Sequence, residues 1–474
     1  MERLLASSQQ STPGVASKFV SSAPASPESA HLRRQLTAGQ MSMVAVGGSI
    51  GTGLLLGSGA AIQIAGPGVI ISYVIGALIA FVVTMALGEM ACRHPGAGSF
   101  GIYADLYLGE WAGFIVRNAY WFSIMISVSG ELVAAATYTR FWLPQVPALV
   151  WIAVYAALLL FINLRQVGDF GAFEYWFAMI KVVIIFIFVL LGTALLVGHK
   201  VQAQYTSDGG FLPHGAAAPL LALSFPLFSF LGTEMIAISS EEAASIANIR
   251  RATYITFALL AFLYLGATIV LTGILPWSQA GVTESPFVTV FAAARLPAVR
   301  HIMNFVVLTA ALSGSNASLY VTSRMLYSLA QSGYAPRRLT RLDSSGAPRW
   351  SVLASTVGIL VALVVEYFTP ANAFLYIIGA SLFGGMLAWG IALASHIAMR
   401  RRITPGDLAA LTMRAPGGTV ASALALAGII AAVVLTWWVP QARITAVTGP
   451  PYLLLLFIFY LFMKKSRLRN TISP

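Results

Sequence analysis

The hydrophobic residues of this chain form long, continuous apolar runs that are separated by short polar segments. A helix needs about 20 predominantly apolar residues to cross the hydrocarbon core of a bilayer. A transmembrane β-barrel would instead require strict alternation of apolar and polar residues, which these runs lack. The pattern predicts an all-α, polytopic membrane protein with about 12 transmembrane helices, over residues 39–64, 68–92, 111–139, 147–164, 173–198, 216–240, 252–275, 298–332, 351–368, 373–398, 419–438 and 449–463.

The composition supports a membrane protein and excludes several other classes. Of the 474 residues, 58% are hydrophobic and 9% are charged, whereas soluble domains have roughly 45–50% and about 25%. A soluble enzyme, a disordered chain and a disulfide-rich secreted domain are therefore excluded. The one cysteine, Cys92, cannot form an intrachain disulfide. Residues 1–35 are polar and lack the apolar core of a cleaved signal peptide, so we expect a disordered cytoplasmic tail there.

The net charge of +12 is explained by membrane topology. With the amino terminus in the cytoplasm, roughly three quarters of the 28 Lys and Arg residues fall on the cytoplasmic side, as the positive-inside rule requires. We therefore expect a multi-pass protein of the cytoplasmic (inner) membrane with both termini in the cytoplasm. Because the basic residues are spread over many loop ends, no nucleic-acid surface is expected. The six histidines lack the spacing of metal ligands, so we expect no metal and predict that each histidine lies at the surface or an interface.

The first and the sixth predicted spans contain sequences that disfavour a continuous helix. The first reads GGSIGTG over 47–53, and the sixth reads FSFLGTE over 228–234, at the corresponding position of a second group of five spans. Glycine inside a helix costs about 1 kcal/mol relative to alanine, so we expect unwound backbone. In hydrocarbon, unwound backbone must line a cavity or meet a ligand, which predicts a binding site near mid-membrane. Close packing of small residues is the alternative, but it does not explain Glu234 beside the second break.

Seven short motifs, in order along the chain, resemble those of one transporter family. The chain is similar over about residues 33 to 465 to the amino acid permeases of the amino acid–polyamine–organocation superfamily, in particular to the lysine- and GABA-type permeases of its amino acid transporter family. The motifs are GGSIGTGL (47–54), AGPG (65–68), LGEMA (87–91), GSFGIY (98–103), FEYWFAMIK (173–181), GTE (232–234) and SRMLY (323–327).

The resemblance implies a LeuT-like fold that works by alternating access. Residues 36–200 would form a first inverted repeat, 201–400 a second repeat, and 401–474 two peripheral spans with a short cytoplasmic C-terminus. The substrate carboxylate would lie on the amides of the first break and its ammonium on carbonyls of both breaks, which suits a zwitterion without a buried formal protein charge. The implied substrate-binding residues are Val46, Ser49, Ile50, Gly51, Thr52, Gly53, Phe228, Leu231, Gly232, Thr233 and Glu234.

Lys181 is the candidate for proton coupling. It lies eight residues after Phe173, about 12 Å into the fifth span, where a lysine cannot reach the interface and should face the bundle. The resemblance implies that a lysine here replaces the cation of sodium-coupled carriers. A permanently charged Lys181 that tethers the fifth span to carbonyls of the first break is the alternative.

Several other charged residues are candidates for selectivity or gating. Glu131 in the third span and Glu234 could neutralise a cationic substrate, move a proton or pair with hydroxyl groups. Arg117 departs from the family pattern and is expected to snorkel or to act in a gate. By resemblance, Glu242 lies on the inner route of the substrate, whereas Glu241 stands where a small residue is more usual.

The sequence therefore predicts a secondary active transporter that imports a zwitterionic or cationic amino acid by proton symport. An amino acid exchanger is the main alternative, and a nutrient sensor with a transporter fold is a weaker one. No Ser-His-Asp, metal or phosphate-loop motif points to an enzyme, and no cofactor is expected. The expected partners are the amino acid, the proton and the lipid bilayer, and the sequence carries no signal for an oligomeric state.

Overall fold

The computed structural model describes residues 36–94, 100–165, 170–240, 243–331, 333–342 and 348–472. The predicted tail and two candidate acids, Glu241 and Glu242, lie outside the described residues. The helices are α1 (Ala38–Ser49), α2 (Thr52–Leu55), α3 (Gly57–Ala65), α4 (Val69–Arg93), α5 (Phe100–Tyr107), α6 (Glu110–Arg140), α7 (Ala148–Arg165), α8 (Phe170–Val197), α9 (Ala218–Leu221), α10 (Ser224–Phe230), α11 (Met235–Ser239), α12 (Ile246–Ile274), α13 (Pro286–Ala293), α14 (Pro297–Gln331), α15 (Arg349–Ser355), α16 (Val357–Phe368), α17 (Ala373–Arg402), α18 (Pro405–Ala410), α19 (Gly418–Leu435) and α20 (Arg443–Ile472).

The described residues confirm the prediction of an all-helical, multi-span architecture. Nine helical segments among them are long and apolar enough to cross a membrane. Two shorter apolar segments, Ala148–Leu164 and Ser224–Ser239, correspond to the predicted fourth and sixth spans. The predicted first span is present in the three pieces α1, α2 and α3.

Both predicted helix breaks are present. The first helix is interrupted at Ile50 and at Gly51, whose backbone is extended at φ −135° and ψ −159°. The sixth is interrupted between Phe230 and Met235, where Gly232 has φ +110°. Glycine adopts this positive φ without the steric penalty that a side chain would bring. Two helices therefore expose backbone N–H and C=O groups in the middle of the bundle.

Helix α6 passes through the centre of the bundle. It packs against α7, α14, α16 and α17. Of its most apolar stretch of 18 residues, 83% is buried. The corresponding figures are 22% for the segment that contains α19 and 11% for α20. The last two helices therefore lie at the periphery, and α6 is placed to contact both the interior and the break in the first helix.

A buried polar cluster joins α4, α17 and the segment before α19. The carboxylate of Glu89, fully buried, accepts hydrogen bonds from Arg400 Nη2 and from the Ala415 amide, both at 2.5 Å. His396 is also fully buried, and its Nδ1 lies 2.9 Å from Ser422 Oγ. The prediction that the histidines lie at the surface or an interface is wrong for His396, because Ser422 and Glu89 give its ring polar neighbours inside the bundle.

Candidate functional site

One acidic and one basic side chain flank the first break. Lys181 on α8 is 3% exposed, and its Nζ donates a hydrogen bond of 3.1 Å to the carbonyl of Gly47, near the end of α1. Glu131 on α6 is 6% exposed, and its Oε1 accepts a hydrogen bond of 3.1 Å from the amide of Thr52, the first residue of α2. The carbonyl end of a helix carries partial negative charge and the amide end partial positive charge. Each helix end is therefore matched by a side chain of the opposite sign.

Glycines make room for the Glu131 carboxylate. A Cβ added at Gly51 would lie 2.4 Å from Glu131 Oε1, and a Cβ added at Gly314 on α14 would lie 3.1 Å from its Cδ. The other carboxylate oxygen, Oε2, has no hydrogen-bond partner in the described part of the chain. Within these same ranges the next two amides of α2, those of Gly53 and Leu54, have no acceptor. The break thus keeps donors that a further carboxylate could use.

Glu234 forms hydrogen bonds with the unwound backbone of the second break, two residues before it. Both of its carboxylate oxygens accept from the amide of Gly232, at 3.0 and 2.9 Å, and Oε2 also accepts from Trp389 Nε1 at 3.0 Å. Its side chain is almost completely buried. The neighbouring Thr233 is fully buried, and its hydroxyl has no partner among the described residues. Glu234 therefore interacts with neutral donors on its own break and on α17.

The two breaks touch each other through glycine. A Cβ at Gly232 would lie 2.7 Å from Ser49 Oγ, and a Cβ at Gly53 would lie 2.9 Å from Phe228 Cδ1. Contacts as close as these exclude any larger residue without displacement of a neighbour. The glycines therefore serve the close approach of the two unwound segments as well as the unwinding itself.

Tyr264 on α12 links the two breaks. Its hydroxyl lies 2.7 Å from the carbonyl oxygen of Ser49 and 3.0 Å from that of Ser229, and it can donate to either one. Tyr264 and Trp389 were not among the site residues predicted from the sequence. A tyrosine or tryptophan in an apolar span usually signals packing or interface anchoring, so the sequence has no signal that distinguishes these two.

The remaining predicted residues lie around or away from the breaks. Val46 and Ile50 are fully buried at the first break, where the Ile50 amide donates to the Val46 carbonyl at 2.9 Å. The Leu231 amide donates to the Phe228 carbonyl at 3.2 Å. Arg117 lies elsewhere: its Nη2 forms a 2.7 Å salt bridge with Asp105 on α5.

Comparison with known proteins agrees with this geometry. The family model for amino acid permeases matches residues 40–472. The chain belongs to the amino acid permease family. This membership confirms the resemblance found in the motifs, and a permease of this architecture is a multi-pass membrane protein that transports amino acids.

Relatives of this permease cover nearly its whole length. It is 36% identical over 437 residues to the amino acid permease YtnA of Bacillus subtilis, covering 90% of this chain and 94% of that protein. It is 36% identical over 409 residues to the gamma-aminobutyric acid permease of Bacillus subtilis, covering 84% and 87%. It is 34% identical over 443 residues to the aromatic amino acid transport protein AroP of Escherichia coli, covering 92% and 96%.

Proposed function

We propose that this permease imports amino acids across the cytoplasmic membrane by proton symport, with alternating access around the two breaks. In this proposal 36–200 and 201–400 form inverted repeats that each begin with a broken helix, and 401–474 adds peripheral helices. Both termini lie in the cytoplasm, as the distribution of Lys and Arg favours. The end of the bundle where α6 finishes at Arg140 then faces outward; we call it the Arg140 face.

The observation that carries the proposal is the pair of charges at the first break. An amino acid zwitterion bears one ammonium and one carboxylate, the same two charges that Lys181 and Glu131 present to Gly47 O and Thr52 N. A bound substrate can therefore satisfy the same helix ends. Its carboxylate has the amides of Gly53 and Leu54 as further donors, in the manner of anions at helix N-termini.

Proton coupling is assigned to Lys181. A charged lysine inside the bundle costs a few kcal/mol, and Lys181 is the lysine that contacts the first break. Charged Lys181 holds α8 against the Gly47 carbonyl. Neutral Lys181 binds that carbonyl less strongly, because the hydrogen bond loses its charge assistance, so the break can rearrange more easily. Loading the proton on one side of the membrane and releasing it on the other would couple the two movements.

The substrate class is narrowed by Glu234. Its carboxylate already accepts hydrogen bonds from the Gly232 amide and the Trp389 indole, which are both neutral donors. A cationic substrate group is therefore not required to satisfy it. The names of the relatives include gamma-aminobutyric acid and aromatic amino acids. We infer that the substrate is a zwitterionic amino acid, with a cationic amino acid as the less favoured case.

An amino acid exchanger is the second candidate. The same hydrogen bond from Lys181 to Gly47 O would then act as a permanent tether, and no proton would move. The two candidates differ in whether a pH gradient alone drives accumulation.

Counterflow into proteoliposomes tests the transport function. Vesicles loaded with each of the twenty amino acids or GABA are diluted into a trace of the same labelled compound, and we expect transient accumulation for at least one zwitterionic amino acid. Vesicles with the Gly53→Val variant control for leakage, because the added side chain would collide with Phe228. Absence of counterflow for the whole panel would refute amino acid transport.

A further inference from the structure

We propose that a second, outer site for a zwitterionic amino acid lies in the cavity at the Arg140 face. The cavity has a volume of about 610 Å³ and lies between the ends of α6 and α16, the starts of α7, α14 and α17, and the segment before α13. Sites for small molecules typically measure about 300–1,000 Å³. This inference rests on the proposed function, since the ligand is the amino acid that the permease transports.

The cavity offers one cation and one anion that make no close contact. Arg140 and Glu366 both line it and interact with each other electrostatically, but neither forms a salt bridge or a hydrogen bond with another residue in the described ranges. The other charged pair at the cavity is already satisfied, because Arg300 Nη2 lies 2.7 Å from Glu284 Oε1. Arg140 is exposed, whereas Glu366 is only 7% exposed. A zwitterion would supply the carboxylate and the ammonium that these two side chains lack.

Three of the residues that line this cavity each carry a buried polar atom without a partner among the described residues. These atoms are Glu366 Oε2, Asn304 Oδ1 and the hydroxyl of Tyr138. Asn304 is fully buried and Tyr138 is 1% exposed. A buried polar group without a hydrogen bond costs about 1–3 kcal/mol, and three of them on residues that line one cavity are unusual for packing alone. Two of the atoms are acceptors, which suits an ammonium group.

Helix α6 contributes residues both to the cavity and to the first break. Tyr138 follows Glu131 by seven residues, two helical turns or about 10 Å along the same face of the helix. Asn304 Nδ2 donates to the Tyr138 carbonyl at 2.8 Å, which fixes α14 against this turn. Apolar walls come from Val133, Phe141 and Phe374. An amino acid held here would lie about two helical turns from Glu131, towards the Arg140 face.

Equilibrium binding to the purified full-length chain tests the proposal. The probe is the labelled amino acid that gives the strongest counterflow, and the readout is the number of sites per chain. We expect two sites in the parent chain and one in Glu366→Gln or Arg140→Gln. Asp407→Asn, which removes an exposed carboxylate from α18, is the matched control and should keep both sites. Gly53→Val should keep only the outer site and lose transport.

The outcomes separate the outer site from the proposed function. A single site in the parent chain, with transport intact, overturns the outer site alone, and so does a Glu366→Gln variant that binds as Asp407→Asn does. Absence of transport for the whole panel overturns the proposed function and this inference with it. If Glu366→Gln does not fold, Arg140→Gln decides, since an exposed arginine contributes little to stability.

Discussion

At the scale of single residues, the glycines of the breaks have a steric role that their number alone does not reveal. Because these glycines lack a Cβ, the Glu131 carboxylate lies close to Gly51, Phe228 close to Gly53 and Ser49 close to Gly232. A methyl group at any of these positions would overlap an atom of a neighbouring helix. The contacts also explain why a substitution at Gly51 would disturb Glu131 together with any substrate carboxylate.

Replacement of Gly53 by valine should abolish amino acid binding at the first break while the protein still inserts into membranes. The new side chain would force Phe228 and the Ser229 backbone away, at about 1–3 kcal/mol. Gly39→Ala is the matched control, because no atom lies within 4 Å of its added Cβ, and it should bind normally. Binding and size-exclusion profiles check both variants. Binding by Gly53→Val at the same number of sites and with the same affinity as the parent would mean that the close approach of the breaks is not needed for binding.

Glu131→Gln separates two roles for the buried carboxylate. Its Oε1 faces the Thr52 amide, so we expect it to compete with the substrate carboxylate at the start of α2. The amide variant keeps an acceptor but removes the charge, and it should bind the amino acid more tightly by about 0.3–2 kcal/mol. Calorimetric titration gives the answer. Weaker binding would indicate that Glu131 holds the substrate ammonium instead.

At the scale of helices and loops, the local sequence predicts where helices break and which residues are buried, but it does not predict which side chains contact each other. The glycine run predicts the first break, and the depth of Lys181 in an apolar span predicts that it faces the bundle, because both depend on the cost of exposing polar groups to hydrocarbon. The partners of Glu131, Tyr264 and His396 lie 79, 215 and 26 residues away. Such pairings arise from tertiary packing, which hydrophobic pattern and motif spacing do not encode.

The Glu89 cluster should hold α4 and α17 together. Arg400→Met removes one partner of a buried ion pair and leaves Glu89 charged and buried, at a cost of about 3–5 kcal/mol. Arg401→Met, at an exposed position of the same helix, should stay within about 0.5 kcal/mol of the parent. Thermal unfolding in detergent compares the two variants. Equal melting temperatures would show that the cluster adds no stability.

At the scale of the whole molecule, the polar groups lie at separate levels of an apolar bundle. Helix α6 lines the cavity at the Arg140 face and carries Glu131 at the first break, where Lys181 of α8 contacts Gly47. The Tyr264 hydroxyl contacts carbonyls of both breaks, and we expect movement of one unwound segment to affect the other. The central claim is that the proton state of Lys181 determines whether these segments can move.

Uphill uptake into proteoliposomes under an imposed pH gradient tests that claim most directly. The parent chain and Lys200→Ala, which alters an exposed lysine just beyond α8, should accumulate the labelled amino acid above its external concentration. Lys181→Ala should bind substrate but not accumulate it. Lys181→Arg keeps a donor for the Gly47 carbonyl but does not release a proton, so it should also fail. Accumulation by Lys181→Arg equal to that of the parent would contradict proton coupling through Lys181 and leave it as a tether.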